Sequence, residues 1–138
     1  MNKIAIVFWS GTGNTEAMAD LVKEGVESAG GSAELIQAAD FSSSQLDSYD
    51  AFAFGCPAMG DEELDPDFEE LWDACKGELG DKPVVLFGSY DWGTGDWMDT
   101  WKEAAEADGV NVVETVIANL EPDDEAEAAL KEAAAKLA

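Results

Sequence analysis

Short apolar runs alternate with amphipathic segments along the whole chain, and this alternation constrains the fold more than any other feature. Five runs have the length and composition of strands that are covered on both faces, at 4–8, 33–36, 51–54, 84–87 and 112–117. Segments with apolar residues at helical spacing predict helices at 14–29, 67–75, 95–107 and 124–137. This order of elements is typical of an α/β fold with a parallel sheet.

The length of 138 residues is that of one ordinary domain, so we expect a single domain over residues 1–138. The Ser- and Asp-rich segment 41–49 is interpreted as a connection that holds at most a short helix. The first apolar run is too short for a signal peptide or a membrane helix, and the two cysteines, Cys56 and Cys75, form no CxxC motif. We therefore expect a cytoplasmic protein with free thiols and no membrane segment.

Charge excludes several functional classes. The chain has 31 Asp and Glu against seven Lys, a net charge of −24, and it has neither Arg nor His. A Ser-His-Asp triad, an imidazole metal site and an arginine clamp on phosphate are therefore excluded, and no metal site is expected. Such a surface repels nucleic acid and attracts basic protein partners, although an acidic surface can equally serve solubility alone. The acidic run at 121–125 is most simply a solvated helix start, with docking as the alternative.

The segment after the first predicted strand has the composition of a phosphate-binding loop. Glycines alternate there with hydroxyl and amide side chains directly before a helix: Ser10, Gly11, Thr12, Gly13, Asn14 and Thr15. Backbone N–H groups and hydroxyls can hold a phosphate without a cation. It is not a Walker loop, because no Lys follows Gly13. The alternative is an ordinary strand-to-helix turn with a polar cap.

Two further loops follow the third and fourth strands, at 55–63 and 88–95. The first places Met59 beside Gly60, and a loop Met can pack on a planar ring, unless it is simply tucked into the local core. The second carries Tyr90 and Trp92, which suit a stacked ligand or a lid over the protein's own core. Together with the phosphate loop, they indicate a phosphorylated planar ring held at the sheet edge where ligands bind in such folds.

These three loops resemble those of flavodoxins, most closely the short-chain flavodoxins of anaerobic bacteria. The similarity covers the chain in order from Lys3 to the final helix, and there is no room for the insertion that long-chain members carry in the last strand. The resemblance implies a flavodoxin-like fold: a five-stranded parallel sheet of order 2-1-3-4-5 with helices on both faces. It also implies one noncovalently bound FMN that carries single electrons.

The resemblance assigns roles residue by residue. Ser10, Thr12, Asn14 and Thr15, with the amides around Gly11 and Gly13, are expected to hold the FMN phosphate. Met59 is expected to cover the inner face of the flavin and Trp92 the outer face. The remaining contacts come from the same two loops: Pro57, Ala58, Gly60, Asp61, Glu62, Ser89, Tyr90, Asp91 and Gly93.

One peptide, Gly60–Asp61, carries the redox tuning in this interpretation. The carbonyl of the Gly60–Asp61 peptide is expected to turn toward flavin N5–H, because glycine tolerates the necessary change of φ. Glu62 is expected to accept from N3–H, and the amides of Ser89, Asp91 and Gly93 to face the pyrimidine end. The similar proteins have Gly where this chain has Asp91, which adds a negative charge at the flavin rim.

The sequence thus predicts a low-potential electron carrier, not an enzyme, that cycles mainly between a neutral semiquinone and an anionic hydroquinone. Its expected partners are ferredoxin-type redox proteins with basic docking surfaces, and we expect a monomer. The alternatives on the same fold are an FMN-dependent reductase and an FMN-binding regulatory module. A phosphorelay receiver is set aside, because Gly55 and Cys56 stand where its acceptor Asp is needed. Trp97 and Trp101 are interpreted as packing residues and Cys56 as an inert thiol.

Overall fold

The computed structural model describes residues 3–9, 13–57, 65–90, 95–119 and 122–138. Five parallel strands form one sheet of order β2-β1-β3-β4-β5, which confirms the predicted fold. The strands are β1 (Lys3–Phe8), β2 (Ser32–Gln37), β3 (Ala51–Gly55), β4 (Pro83–Tyr90) and β5 (Asn111–Asn119). The helices are α1 (Asn14–Ser28), α2 (Pro66–Lys76), α3 (Asp96–Ala107) and α4 (Asp124–Ala135).

Burial follows the position of each strand in the sheet. All five residues of β3 are buried, as are those of β1 after Lys3, because these strands have neighbours on both sides and helices on both faces. The edge strands β2 and β5 are only partly covered. The prediction that all five strands are covered on both faces is therefore wrong for the two edge strands, each of which has a neighbouring strand on one side only.

Two hydrophobic clusters lie on opposite faces of the sheet. On one face, α2 and α3 supply an aromatic cluster in which Trp101 packs edge-on against Trp72 and Phe68, with ring centroids 5.5 and 5.6 Å apart. On the other face, α1 and α4 supply aliphatic side chains such as Met18 and Leu130, both fully buried. Edge-to-face aromatic pairs add about 0.5–1.5 kcal/mol each beyond the burial of their area. The interpretation of Trp97 and Trp101 as packing residues is confirmed by this placement.

Some boundaries differ from those predicted. The connection between β2 and β3 contains two short 3-10 helices, Ala38–Asp40 and Ser43–Ser48, in agreement with a segment that holds at most a short helix. Strand β4 continues through Ser89 and Tyr90, which were predicted to lie in a loop. Both residues pair with β5, so their backbone hydrogen bonds extend the strand although their side chains are polar.

Candidate functional site

The three predicted cofactor segments begin at one edge of the sheet. Phe8 at the end of β1 lies in register with Gly55 at the end of β3, and Gly55 lies beside Phe87 of β4. The N–H of Trp9 donates to the carbonyl of Gly55 at 2.9 Å, which ties the first segment to the second. The carboxyl edge of the sheet therefore brings the three segments together, as expected for an open parallel sheet.

Two glycines allow the ends of β3 and β4 to approach each other closely. A Cβ added at Gly88 would lie 2.1 Å from the carbonyl oxygen of Cys56, and one added at Gly55 would lie 2.3 Å from the ring of Phe87. The N–H of Cys56 donates to the carbonyl of Phe87 at 3.1 Å and closes this junction. Sequence reasoning assigned Gly55 and Gly88 no role, although an isolated glycine at a strand end is a signal of close backbone approach.

The helices that begin at this edge fall into two pairs by their N-terminal residues. Asp65 caps α2 by accepting from two backbone N–H groups at 3.0 and 3.1 Å, and Asp123 caps α4 by accepting from one at 2.9 Å. In contrast, α1 and α3 begin at Gly13 and Gly95, with φ of +92° and +87°, and these residues have no side chain with which to cap. The N terminus of α1 thus presents backbone without a carboxylate at its cap, which suits an anionic group such as phosphate.

A buried pair of hydroxyls joins the first segment to the third. Thr15 Oγ1 lies 3.0 Å from Ser89 Oγ, and the backbone N–H of Ser89 donates to Thr15 Oγ1 at 3.4 Å. These are the buried polar residues of the described chain, at 1% and 4% exposure. The contact fixes the first turn of α1 against the end of β4. It therefore holds the predicted phosphate-binding segment beside the strand that leads into the predicted ring-binding segment.

The remaining predicted contacts divide between the described and undescribed parts of the chain. Asn14, Pro57 and Tyr90 are each half-buried at the carboxyl edge, and the ring of Tyr90 lies 5.6 Å from that of Trp97. The other predicted site residues lie outside the described residues: Ser10, Gly11, Thr12, Ala58, Met59, Gly60, Asp61, Glu62, Asp91, Trp92 and Gly93. The roles assigned to them stay predictions.

The cysteine at this edge is chemically quiet. Cys56 is fully buried and free, and burial, the largest cause, raises the pKa of its thiol to about 12. A thiol with such a pKa remains protonated at neutral pH and is a poor nucleophile. Among the described residues, no group of three or more His, Cys, Asp or Glu side chains could hold a metal ion. What this edge offers is a set of backbone and hydroxyl groups around the start of α1.

Comparison with known proteins identifies the family. The flavodoxin family profile matches residues 6–136. The flavodoxin of Megasphaera elsdenii is 46% identical over 96% of this chain and 98% of its own length, and that of Clostridium beijerinckii is 42% identical over 86% and 88%. This chain belongs to the flavodoxin family. Flavodoxins bind FMN and transfer electrons between redox partners, so this chain is an FMN-binding electron-transfer protein and not an enzyme.

Solved flavodoxin structures share the fold described above. The solution structure of two-electron reduced M. elsdenii flavodoxin has a TM-score of 0.88 at 46% identity, covering 96% of this chain and 98% of that chain. The crystal structure of oxidised flavodoxin 1 from Bacillus cereus has a TM-score of 0.82 at 29% identity, with coverage of 98% and 96%. None of the helices in the described part of the chain is long and apolar enough to cross a membrane.

Proposed function

We propose that this flavodoxin carries electrons one at a time at low potential, and that it exchanges them with redox proteins that have basic docking surfaces. The observation that carries the proposal is the separation of charge in the fold. The segments that follow β1, β3, β4 and β5 at the carboxyl edge contain no lysine, whereas they contain seven acidic residues. These are Asp61, Glu62, Glu63, Asp65, Asp91, Glu121 and Asp123.

The lysines lie elsewhere and several are already paired. Lys76, near the C terminus of α2, is 3.1 Å from Asp108 and 3.2 Å from Asp73. At the C-terminal half of α4, Lys131 and Lys136 form ion pairs with Glu24, Glu127 and Glu114 at 2.8–3.3 Å. Neutralising cations are therefore concentrated toward the opposite edge of the sheet, and the cofactor edge keeps its negative charge.

This charge supports both parts of the proposal. A negative edge attracts a positively charged partner at long range and raises the rate of encounter at low salt. The same carboxylates repel each electron added to the cofactor, because a unit charge about 10 Å away contributes roughly 0.4 kcal/mol even in water. Several such charges favour a low-potential donor.

The residues proposed to hold FMN follow the family motif. Ser10, Thr12, Asn14 and Thr15, with the amides around Gly11 and Gly13, are proposed to bind the phosphate; the start of α1 at a glycine with positive φ and the Thr15–Ser89 contact support this assignment. Met59 and Trp92 are proposed to cover the two flavin faces. The other proposed contacts are Pro57, Ala58, Gly60, Asp61, Glu62, Ser89, Tyr90, Asp91 and Gly93. Bound FMN supplies the redox chemistry, and the protein supplies binding, orientation and the surrounding charge.

We further propose that the whole chain, residues 1–138, acts as one cytoplasmic domain and as a monomer. The strands of a single sheet and the helices that connect and follow them extend from Lys3 to the end of α4, which supports one domain. Among the described residues, Ile117 is the one exposed large hydrophobic side chain, so little apolar surface is available for self-association. Light scattering on the FMN-loaded protein measures the mass directly. A mass near 14.7 kDa supports a monomer, and twice that mass rejects it.

Anaerobic reductive titration of the FMN-loaded protein tests the electron-carrier function. We expect the one-electron-reduced form to accumulate at half reduction, with the absorbance of a neutral, blue flavin radical. Gly60→Val should lower that accumulation while the oxidised protein still retains FMN, because a branched side chain hinders the proposed change at this peptide. Direct conversion of the unmodified protein from oxidised to two-electron-reduced flavin would reject single-electron transfer. Sustained oxidation of a nicotinamide nucleotide by the isolated protein would favour a reductase instead.

A further inference from the structure

A small groove opens at the carboxyl edge beside the end of β1. Its volume is about 150 Å³, and it is lined by Phe8, Trp9, Glu16, Gln37, Ala38 and Ala39. Phe8 pairs with Gln37 of β2 on one side and with Gly55 of β3 on the other. The groove therefore lies on the β2 side of the edge, away from the segments that follow β3 and β4. None of the described residues that line it belongs to the proposed FMN contacts.

The groove has room for a side chain and not for a cofactor. Pockets for ligands of cofactor size have volumes of about 300–1,000 Å³, whereas this space corresponds to roughly five water molecules. The ring of Trp9 is partly buried against the core, and its backbone N–H is fixed by the carbonyl of Gly55. The first 3-10 helix places Ala38 and Ala39 directly after β2 and forms a wall with small side chains. An occupant thus meets a rigid, narrow space with an aromatic surface.

The acidic residues around the groove favour a cationic occupant. Glu16 is one of the lining residues, and exposed Asp20 follows one turn later on α1. Asp40 ends the 3-10 helix on the other side and is also exposed. Among the described residues, no lysine lines the groove; along α1, Lys23 comes seven residues after Glu16, about 10 Å along the helix axis. A cationic head is favoured by these acidic residues and by the tryptophan ring, and an alkyl stem can pack on the side chains of Trp9 and Ala39.

We propose that this groove seats a lysine side chain of the basic redox partner and so fixes how that partner docks beside the cofactor edge. This inference rests on the proposed function as an electron carrier. The stem of the lysine packs on Trp9 and Ala39, and its ammonium group lies near the carboxylate of Glu16. General attraction to the acidic edge brings the partner close, and the groove determines its orientation.

Titration of FMN-loaded, isotope-labelled protein with a tetralysine peptide amide at low ionic strength tests the proposal. NMR follows the indole N–H of Trp9 and the backbone amides of Gln37 and Ala39. We expect saturable shifts centred on these groups. Glu16→Gln should weaken binding about two- to fivefold, the size of an exposed ion pair or cation–π contact. The matched control is Glu106→Gln, which removes the same charge from an exposed position on α3.

A second variant blocks the groove without changing charge. Ala39→Phe places a large ring in the groove and should abolish the response of the Trp9 indole while FMN remains bound. Equal weakening by Glu16→Gln and Glu106→Gln, shifts centred elsewhere, or an unchanged response in Ala39→Phe would each overturn the proposal. Failure of the electron-carrier function would appear separately, in the reductive titration of the unmodified protein, which does not depend on this groove.

Discussion

At the scale of single residues, the site depends on the missing side chain of a glycine and on the burial of a cysteine thiol. Gly88 lets the carbonyl of Cys56 lie where a side chain would otherwise stand. The thiol of Cys56, enclosed by the same junction, is fully buried. Both features make the strand ends beneath the cofactor loops compact and chemically inert, which suits a protein that binds FMN and performs no covalent chemistry of its own.

Gly88→Ala should lower the free energy of unfolding by about 1–3 kcal/mol, because the added methyl group overlaps backbone and β3 and β4 must separate. Gly77→Ala is the matched control, since a Cβ there meets nothing within 4 Å and the residue has φ of −80°. The control should be neutral or stabilising by up to about 1 kcal/mol. Chemical denaturation of the FMN-free proteins measures both. Equal stability of the two variants would contradict the close approach at Gly88.

Buried acids make the stability of the fold sensitive to alkaline pH. Burial is the largest cause that raises the pKa of Cys56 to about 12, of Cys75 to about 11 and of Tyr49 to about 12. Their neutral forms are favoured in the folded state, so this contribution is complete below the unfolded pKa values near 9–10 and is lost as pH rises through 11–12.

The free energy of unfolding should therefore fall above about pH 9. At pH 8 a thiol reagent should modify neither cysteine of the folded FMN-loaded protein, and both should react once denaturant unfolds the chain. Rapid labelling of Cys56 under folded conditions would show that the junction between β3 and β4 opens and that the thiol is not protected as described.

At the scale of elements, the helices divide by the residue at which they begin: α2 and α4 begin at a capping aspartate, and α1 and α3 begin at a glycine with positive φ. The caps Asp65 and Asp123 stabilise α2 and α4 through hydrogen bonds to their own first turns. Helix α1 begins at Gly13 instead, so its N-cap residue carries no carboxylate, and Glu16 is the acidic residue of its first turn. The aspartate caps therefore stabilise α2 and α4, whereas the N terminus of α1 is the proposed anion site.

Asp123→Ala should destabilise the protein by about 1 kcal/mol, because it removes the acceptor that satisfies the N–H of Ala126. Asp124→Ala removes the same charge one residue later, where no side-chain cap is lost, and should cost less. Thermal or chemical unfolding compares the two variants, and FMN affinity should be similar in both. If both variants lost the same free energy of unfolding, the effect would come from the charge near the helix dipole and not from the cap.

The elements were largely predictable from the sequence, because apolar periodicity and strand-helix alternation are local signals. The same signals placed Ser89 and Tyr90 outside β4, since pairing with Ala118 and Asn119 of β5 is not visible in a polar pair of residues. The contact between Thr15 and Ser89 joins residues 74 positions apart, and no local pattern indicates it. The family motif predicted which segments meet; the register of the sheet determines which of their atoms touch.

At the scale of the whole molecule, the fold separates charge. The net charge of −24 is distributed unevenly. The lysines and their ion pairs lie away from the carboxyl edge, whereas the segments that follow the strands contain acidic residues and no lysine. Under the proposed function, this arrangement would act on an added electron and on an approaching partner. Salt should screen the effect of solvent-exposed carboxylates strongly.

The measurement that tests this account most directly is the potential for adding the second electron to bound FMN, determined by spectroelectrochemistry at low and high ionic strength. One carboxylate about 10 Å from the flavin is worth roughly 20 mV, since about 1.4 kcal/mol corresponds to 59 mV for one electron. The account predicts that this potential is low in dilute buffer and rises by on the order of tens of millivolts as salt is added. A potential that does not change with salt would contradict the claim that the acidic edge sets the redox behaviour of this flavodoxin.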